Sequence, residues 1–582
     1  MFFWHPASSA CLPYIRLRDR RQYIHMKNPD DIINCLLVYP EFSAFSFWNV
    51  KDAIRDAGAK ATTPPLGLLT VAAIFPQHWN FRLLDLNAHT FSEEEWAWAD
   101  LIATSGMLPQ QEGLLAVIER AKKDGKFVVA GGPDPTSQPH IYRDADALVL
   151  NEGEITIPAW LDAWRAGNPR GVFQTAEKPD VSQTPIPRFD LINMKDYYYM
   201  GVQYARGCPF NCEFCDIIEL YGRKPRHKSP EQFLSELQKL YDLGFRGYIE
   251  IVDDNFIGNK RNVKRELLPA LIEWQKKHRK PFYFGTEASM NLGDDVPLLE
   301  LMREAQFKSV FMGIETPDPE LLEMTQKSQN TVRPITERVH KVYEHGIFVS
   351  GGFIMGFDNE KKNMDKSMIA CIEDAGICMA MIGLLVALPK TQLTRRLLQE
   401  KRLIDMQGNL MTQAAMDTTK IRRDMKSGVV DQTLAGLNFI TTRDRCEILA
   451  EYGNTVRTVY ETRSYFDRAL RTARMMRYRK PRLHHPWELK RNLRSMIVMS
   501  WRMTLNKKTR WLYWRNFFGG AMLGLYRFEI VMTLMSIYQH FAKQSAYLLG
   551  VLDSQMEFQS TLPQKTDRPI SKTATGETNK AV

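Results

Sequence analysis

The chain has 582 residues, 44% hydrophobic and 25% charged, which is too long for one hydrophobic core and too apolar for wholesale disorder. Its formal charge of +10 sits in one segment: between Arg463 and Arg515, sixteen Lys or Arg face only Asp467 and Glu488, so the remainder is mildly acidic. Of eight cysteines only Cys208, Cys212 and Cys215 cluster, which excludes a secreted disulfide framework and fits a reducing compartment with one metal site.

The start, Met1-Phe2-Phe3-Trp4, lacks the basic start, apolar core and small-residue cleavage site of a signal peptide, so a cytoplasmic location is expected. Residues 1–25 show no periodicity, and 1–29 reads as a poorly structured extension. Apolar runs follow at 32–39, 81–86, 100–105, 126–131 and 146–150, with helical stretches such as 66–76 and 110–124 between them. This alternation predicts a doubly wound parallel sheet over 30–165. Ligands bind such sheets at the carboxyl ends of the strands, which here carry Asp85 to His89, Ser105-Gly106-Met107, and Gly131-Gly132-Pro133.

Residues 166–196, with Pro179, Pro185 and Pro187, read as a linker. A second alternating series fills 197–395. Strands are expected at 199–205, 246–252, 281–286, 308–314, 347–354 and 379–386. Helices are expected at 231–243, 262–277, 296–305, 333–345 and 361–375. Six such units predict a parallel barrel or a six-stranded partial one, with its chemistry at the strand C-termini. Beyond 396 helices dominate to residue 555, and 556–582 reads as a disordered polar tail.

Directly after the first barrel strand comes Arg206-Gly207-Cys208-Pro209-Phe210-Asn211-Cys212-Glu213-Phe214-Cys215. Three thiolates at C-x3-C-x2-C spacing can each take one iron of a cubane, leaving the fourth iron open to a small chelator. The rival is a zinc site, which needs a fourth protein ligand; His227 is the nearest candidate, at a poor spacing. Three further strand ends carry polar groups: Asp253-Asp254-Asn255, Thr286-Glu287-Ala288-Ser289, and Gly313-Ile314-Glu315-Thr316. Each acid taken alone is equally well read as a helix cap.

The cysteine loop opening a βα barrel resembles the radical S-adenosylmethionine (SAM) superfamily, and the doubly wound domain ahead of it resembles that superfamily's cobalamin-dependent family. The domain order, Pro64-Pro65-Leu66-Gly67-Leu68-Leu69-Thr70 and Val252 to Lys260 look like the branch that includes the hopanoid C-2 methylase, over residues 32–460. The resemblance implies a 4Fe–4S cluster on Cys208, Cys212 and Cys215 that cleaves SAM to a hydrogen-abstracting radical. It implies SAM contacts for Glu287 and Glu315, and places Asp254, Asn255 and Ser289 near SAM or substrate. It implies cobalamin on the N-terminal sheet, with Ser105, Gly106 and Met107 beneath the ring and Gly131 and Gly132 admitting the nucleotide tail. Relatives that ligate cobalt through imidazole carry Asp-x-His-x-x-Gly. Here Asn87 stands at the imidazole position, so an unligated or weakly ligated lower face is expected, with His89 an off-register rival.

Residues 463–545 interleave basic residues with Trp487, Trp501, Trp511, Trp514, Phe517 and Phe518. Three readings fit: a peripheral membrane contact, a solvated helical cap, or a nucleic-acid surface, the last the least favoured. The resemblance implies C-methylation of an unactivated carbon in a lipid or terpenoid-like substrate, with electrons from a flavodoxin or ferredoxin. Cyclisation or oxidation without methyl transfer, and a non-catalytic membrane-associated cobalamin-binding protein, are the alternatives.

Overall fold

The computed structural model describes residues 27–43, 46, 50–405, 408–412, 436–477 and 486–559. The expected N-terminal extension up to residue 26, and the tail from 560, lie outside the described residues.

Six parallel strands form the first sheet: β1 (Asn34–Tyr39), β2 (Asn80–Asp85), β3 (Leu101–Ser105), β4 (Phe127–Gly131), β5 (Ala147–Val149) and β6 (Gly171–Phe173), in the order β2-β1-β3-β4-β5-β6. Strand β1 is apolar and buried over residues 35–38 because the sheet is covered on both faces there. Cys35 and Leu37 enter a core with Phe75, Trp79, Trp160 and Trp164, while Leu36 and Val38 enter another with Ile102, Leu114 and Ile118. The expected doubly wound sheet is therefore present, with one strand more than the periodicity showed. Strand β6 falls inside the stretch read as a linker and pairs in register with β5. Gly171-Val172-Phe173 is largely exposed at the sheet edge and forms no apolar run; pairing with β5 supplies the order.

The second sheet contains β7 (Met200–Val202), β10 (Gly247–Ile251), β11 (Phe282–Glu287), β12 (Phe307–Glu315), β13 (Phe348–Met355) and β14 (Ala380–Leu384), all parallel and adjacent in chain order. Among the described residues β14 does not pair back to β7, so the barrel is partial. Helices between the strands begin where the sequence caps them: Ser229 accepts from the Gln232 amide (3.1 Å) and Asp295 from the Leu298 amide (3.2 Å). The stretch 199–205, expected as one strand, breaks after Val202. The buried Asp253 carboxylate takes the Tyr204 and Ala205 amides at 2.7 and 2.9 Å. Those amides are lost to β7, and the chain turns into the short antiparallel pair β8 (Ala205–Arg206) and β9 (Arg226–His227).

The C-terminal region is helical: Arg445–Val459, Thr462–Met475, Pro486–Leu505, Arg510–Met522 and Leu525–Gln559. Its apolar side chains share one continuous core with the barrel, and Tyr452 donates to the Ile382 carbonyl of β14 (3.1 Å). No described helix is long and apolar enough to cross a membrane.

Candidate functional site

The cysteine loop leaves β8 through Gly207, whose φ of +89° and close approach to the Gly222 carbonyl leave no room for a side chain. Gly207 donates its amide to Asp254 (3.1 Å), and the Cys208 amide donates to the Gly222 carbonyl (3.3 Å). Cys212 is buried, and Cys208 and Cys215 are half-buried. Burial pushes all three thiols up, and a buried ammonium, Lys327, opposes that shift at each of them. Two side-chain amides reach the sulfurs: Asn255 Nδ2 lies 3.7 Å from Cys208 Sγ, and Gln329 Nε2 lies 3.8 Å from Cys212 Sγ.

Neighbouring thiols are close enough to act on one another electrostatically. Yet among the described residues no three metal-binding side chains converge on a single ion. Three thiols on one loop can each take one iron of a cluster, whereas a closed zinc site needs a fourth protein ligand. His227, the candidate fourth zinc ligand, is engaged elsewhere: its Nε2 bonds Asn262 (2.8 Å) and its ring stacks on Tyr204.

The strand-end acids divide into two kinds. Glu315, in a left-handed backbone conformation (φ +67°), is ion-paired to Lys327. Although burial alone would lower it, Glu315 and Cys212 hold the Lys327 ammonium above the usual lysine range. Glu287 differs: its carboxylate has no hydrogen-bond or ion-pair partner among the described residues. Burial, reinforced by Glu250, Asp254 and Asp253, pushes it up to about 8. Burial likewise lifts Asp254 to about 6 and Glu250 to about 7, the latter against a hydrogen bond from Tyr248. Asn255 Oδ1 accepts from the Ser289 amide (3.3 Å), tying the ends of β10 and β11 together beside Cys208. The barrel mouth thus presents clustered carboxyls without enough internal cations, a setting that favours a cationic, hydroxyl-rich ligand.

The two sheets meet at this mouth. Arg206, two residues before Cys208, ion-pairs with Glu152 and Glu154 of the first domain (both 2.8 Å), and Arg226 takes the other oxygen of Glu152 (2.8 Å). All four groups are largely buried, so the cysteine loop is clamped to the N-terminal sheet. Lys390 adds a bond to the Thr136 carbonyl (2.6 Å). On the sheet itself, a side chain at Gly132 (φ +96°) would collide with Ser105 Oγ, and one at Gly131 with the Val149 carbonyl. The loops carrying Ser105-Gly106 and Gly131-Gly132 therefore pack directly on each other, while the Met107 amide is held by Gln110 Oε1 (3.1 Å). Asn87 gives its amide to Asp85 (2.9 Å) and the Pro40 carbonyl (3.1 Å). His89 faces Asp196 at 3.3 Å.

Sequence reasoning missed Lys327, Gln329, Arg206, Glu152 and Glu154. None belongs to a spacing pattern; each acts across a gap in the chain that only folding closes.

Family models match three segments: a B12 binding domain over residues 54–161, the Radical SAM superfamily over 202–370, and a Domain of unknown function (DUF4070) over 391–548. The chain is 41% identical to the uncharacterized methyltransferase sll1242 of Synechocystis sp. over 513 residues, covering 88% of this chain and 91% of that one. It is 39% identical to the hopanoid C-2 methylase of Rhodopseudomonas palustris over 375 residues, covering 63% and 71%. Among solved structures it resembles the radical SAM methyltransferase TsrM from Kitasatospora setae (TM-score 0.52, 16% identity, 64% of this chain and 78% of that one). It also resembles the cobalamin-dependent SAM radical enzyme OxsB (TM-score 0.53, 14% identity, 92% and 82%). At these identities the two structural likenesses are ones of fold. The chain belongs to the cobalamin-dependent radical SAM methyltransferases, whose cofactors are a 4Fe–4S cluster, SAM and cobalamin.

Proposed function

We propose that this protein methylates an unactivated carbon of a small, polycyclic lipid or terpenoid-like substrate. The observation that carries the reading is the Arg206–Glu152–Glu154–Arg226 clamp, which ties the cysteine loop to the cobalamin-type sheet. Hydrogen abstraction and methyl delivery to one carbon need their two cofactors held at one cavity. When bound, the cluster with SAM supplies hydrogen abstraction from an unreactive C–H bond, and cobalamin supplies the methyl carrier.

The chain's own residues have separable tasks. Cys208, Cys212 and Cys215 hold three irons and leave the fourth for SAM. Asn255 and Gln329 offer N–H groups to the sulfurs, and Lys327, held by Glu315, balances the negative charge of the thiolates. Glu287 and Asp254 meet the SAM amine and ribose hydroxyls, with Ser289 and Asn255 fixing the loop between them. Ser105, Gly106 and Met107 form the floor for cobalamin, and Gly131 and Gly132 let its tail approach the sheet edge. Asn87, its amide bound to Asp85, stands where imidazole-ligating relatives carry histidine, so that position would hold cobalamin without an imidazole. A flavodoxin or ferredoxin delivers the electron. The protein works in the cytoplasm, in peripheral contact with the inner membrane face through its basic C-terminal region.

The test has two parts. Anaerobically reconstituted protein should release 5′-deoxyadenosine and S-adenosylhomocysteine together with substrate, and lipids from cells lacking the gene should lack one methylated species. Deoxyadenosine without the homocysteine product would overturn methylation in favour of cyclisation or oxidation.

A further inference from the structure

The helices Pro486–Leu505 and Arg510–Met522 form an antiparallel pair with one face built and one face bare. Tyr513 and Ser500 share a hydrogen bond (2.6 Å), and Trp514 donates to Thr504 (3.1 Å), fixing one helix against the other. Met499, Met503, Leu512 and Tyr513 point into the core. Opposite them, Leu489, Leu493, Ile497, Trp501 and Leu505 recur at every fourth position and form a continuous exposed ridge. On the second helix Trp511, Phe518 and Met522 extend the same bare surface, each at least 60% exposed. Large exposed apolar side chains are normally scattered; among the described residues the exposed Trp and Phe, namely Trp501, Trp511 and Phe518, all lie on this one helix pair.

The charge around the ridge selects its partner. From residue 486 to 525 there are eight Lys or Arg and one acid, Glu488, which is fully buried. Arg502 is committed to Asp56 (2.6 Å), but Lys490, Lys507 and Lys508 are exposed and have no side-chain partner among the described residues. Lys507 and Lys508 sit at the turn joining the two helices, between the exposed Leu505 and Trp511. Apolar side chains that insert, flanked by cations that stay in the headgroup layer, match an anionic bilayer surface. Because no described helix can span a membrane, the pair would lie in the interface rather than cross it. At its other end the pair is anchored to the base of the barrel: Arg491 donates to the Tyr198 carbonyl (3.0 Å), and the Glu488 carboxylate lies beside Gly247 at the start of β10.

We propose that this hairpin, Pro486–Met522, is a peripheral membrane-docking element for anionic lipid bilayers, with Ile497, Trp501, Trp511 and Phe518 as insertion points and Lys490, Lys507 and Lys508 as headgroup contacts. It deepens the lipid-substrate reading and rests on it for biological sense, but its test does not require turnover.

The full chain is mixed with vesicles of equimolar phosphatidylglycerol and phosphatidylcholine, or of phosphatidylcholine alone, and floated on a density gradient. Wild-type protein is expected to float with the anionic vesicles, weakening as salt is raised above ~0.1 M because the attraction is screened. The I497E/W511E/F518E variant is expected to lose about tenfold or more in vesicle partitioning, since three inserting side chains become charged. All three positions are exposed, so its iron content after reconstitution and its circular dichroism should match wild type. The K490E/K507E/K508E variant should lose the preference for anionic vesicles. Brominated lipid should quench tryptophan fluorescence in wild type, and less in W501F/W511F. Wild-type protein remaining unbound, or the glutamate variant floating like wild type, overturns the proposal. So does a solution dimer that the glutamate variant dissociates, which would give the face to a second copy. Docking with no methylated lipid would leave this proposal standing and count against the substrate reading alone.

Discussion

The cluster end of the barrel and the C-terminal hairpin treat charge in opposite ways. Around the cysteine loop charges are buried and mostly answered within the chain: Arg206 and Arg226 by Glu152 and Glu154, Lys327 by Glu315. The carboxyls of Glu250, Asp253, Asp254 and Glu287 are the exception: no ion pair to any of them is seen among the described residues. On the hairpin, cations and large apolar groups are both left to solvent. Internal pairing fixes geometry for chemistry, while unmet charge and unburied apolar surface define where an external partner fits.

That contrast breaks most sharply at the cluster. Cys212→Ala removes one of three protein ligands, and iron and sulfide retained after reconstitution should fall to near background while the vesicle binding of the hairpin is unchanged. Arg206→Met leaves Glu154 without its cation in a largely buried site, while Glu152 keeps Arg226, and breaking such a buried pair costs about 3–5 kcal/mol. It should appear as a lower thermal midpoint and faster proteolysis between the two sheets, partly restored in R206M/E154Q, which leaves the Arg226–Glu152 pair intact.

Glu287 gives a pH signature. Its folded pKa is raised from the usual 4.5 to about 8, so the folded chain keeps a proton that the unfolded chain releases. The stabilisation this provides is complete below about 4.5 and is lost as pH climbs through about 8. Cofactor-free protein should therefore become less thermostable across that window, and Glu287→Gln should flatten the slope. SAM binding below about 8 should release protons, which calorimetry in buffers of different ionisation enthalpy measures, and E287Q should abolish most of that release. The smallest effect is expected at the Lys327–Glu315 pair. Lys327→Met should lower the cluster's midpoint potential by roughly a few tens of millivolts, because a cation beside the sulfurs favours the reduced, more negative state. Glu315→Gln should raise it, read by redox titration with electron paramagnetic resonance.

Much of the architecture was legible from hydrophobic periodicity. Most strands of both sheets fall close to their expected positions because the buried stretches of parallel strands are apolar, as in residues 35–38 of β1 and 127–130 of β4. Strand β6 escaped because Gly171-Val172-Phe173 is a largely exposed edge segment between polar residues, and the strand expected at 199–205 was interrupted by Asp253, which lies 49 residues after Tyr204. The basic, aromatic character of 463–515 was equally visible, but composition could not separate a solvated cap from a docking face. Only the burial of Met499, Met503 and Tyr513 shows that the remaining apolar residues of the helix pair are left outside.

The sequence by itself determined the chemistry of the cysteine loop, since three thiols within eight residues stay neighbours however the rest folds. It also determined the order of a sheet domain, a βα barrel and a helical region. Tertiary structure alone decided which charges surround that loop. Lys327 and Gln329 lie more than a hundred residues after Cys212, and Glu152 more than fifty before Arg206. Their effect depends on distances of a few ångströms in a low-dielectric interior, which no local pattern encodes. The same reason separates Glu315 from Glu287. Both are glutamates at barrel strand ends, yet folding gives one a lysine and leaves the other facing like charges.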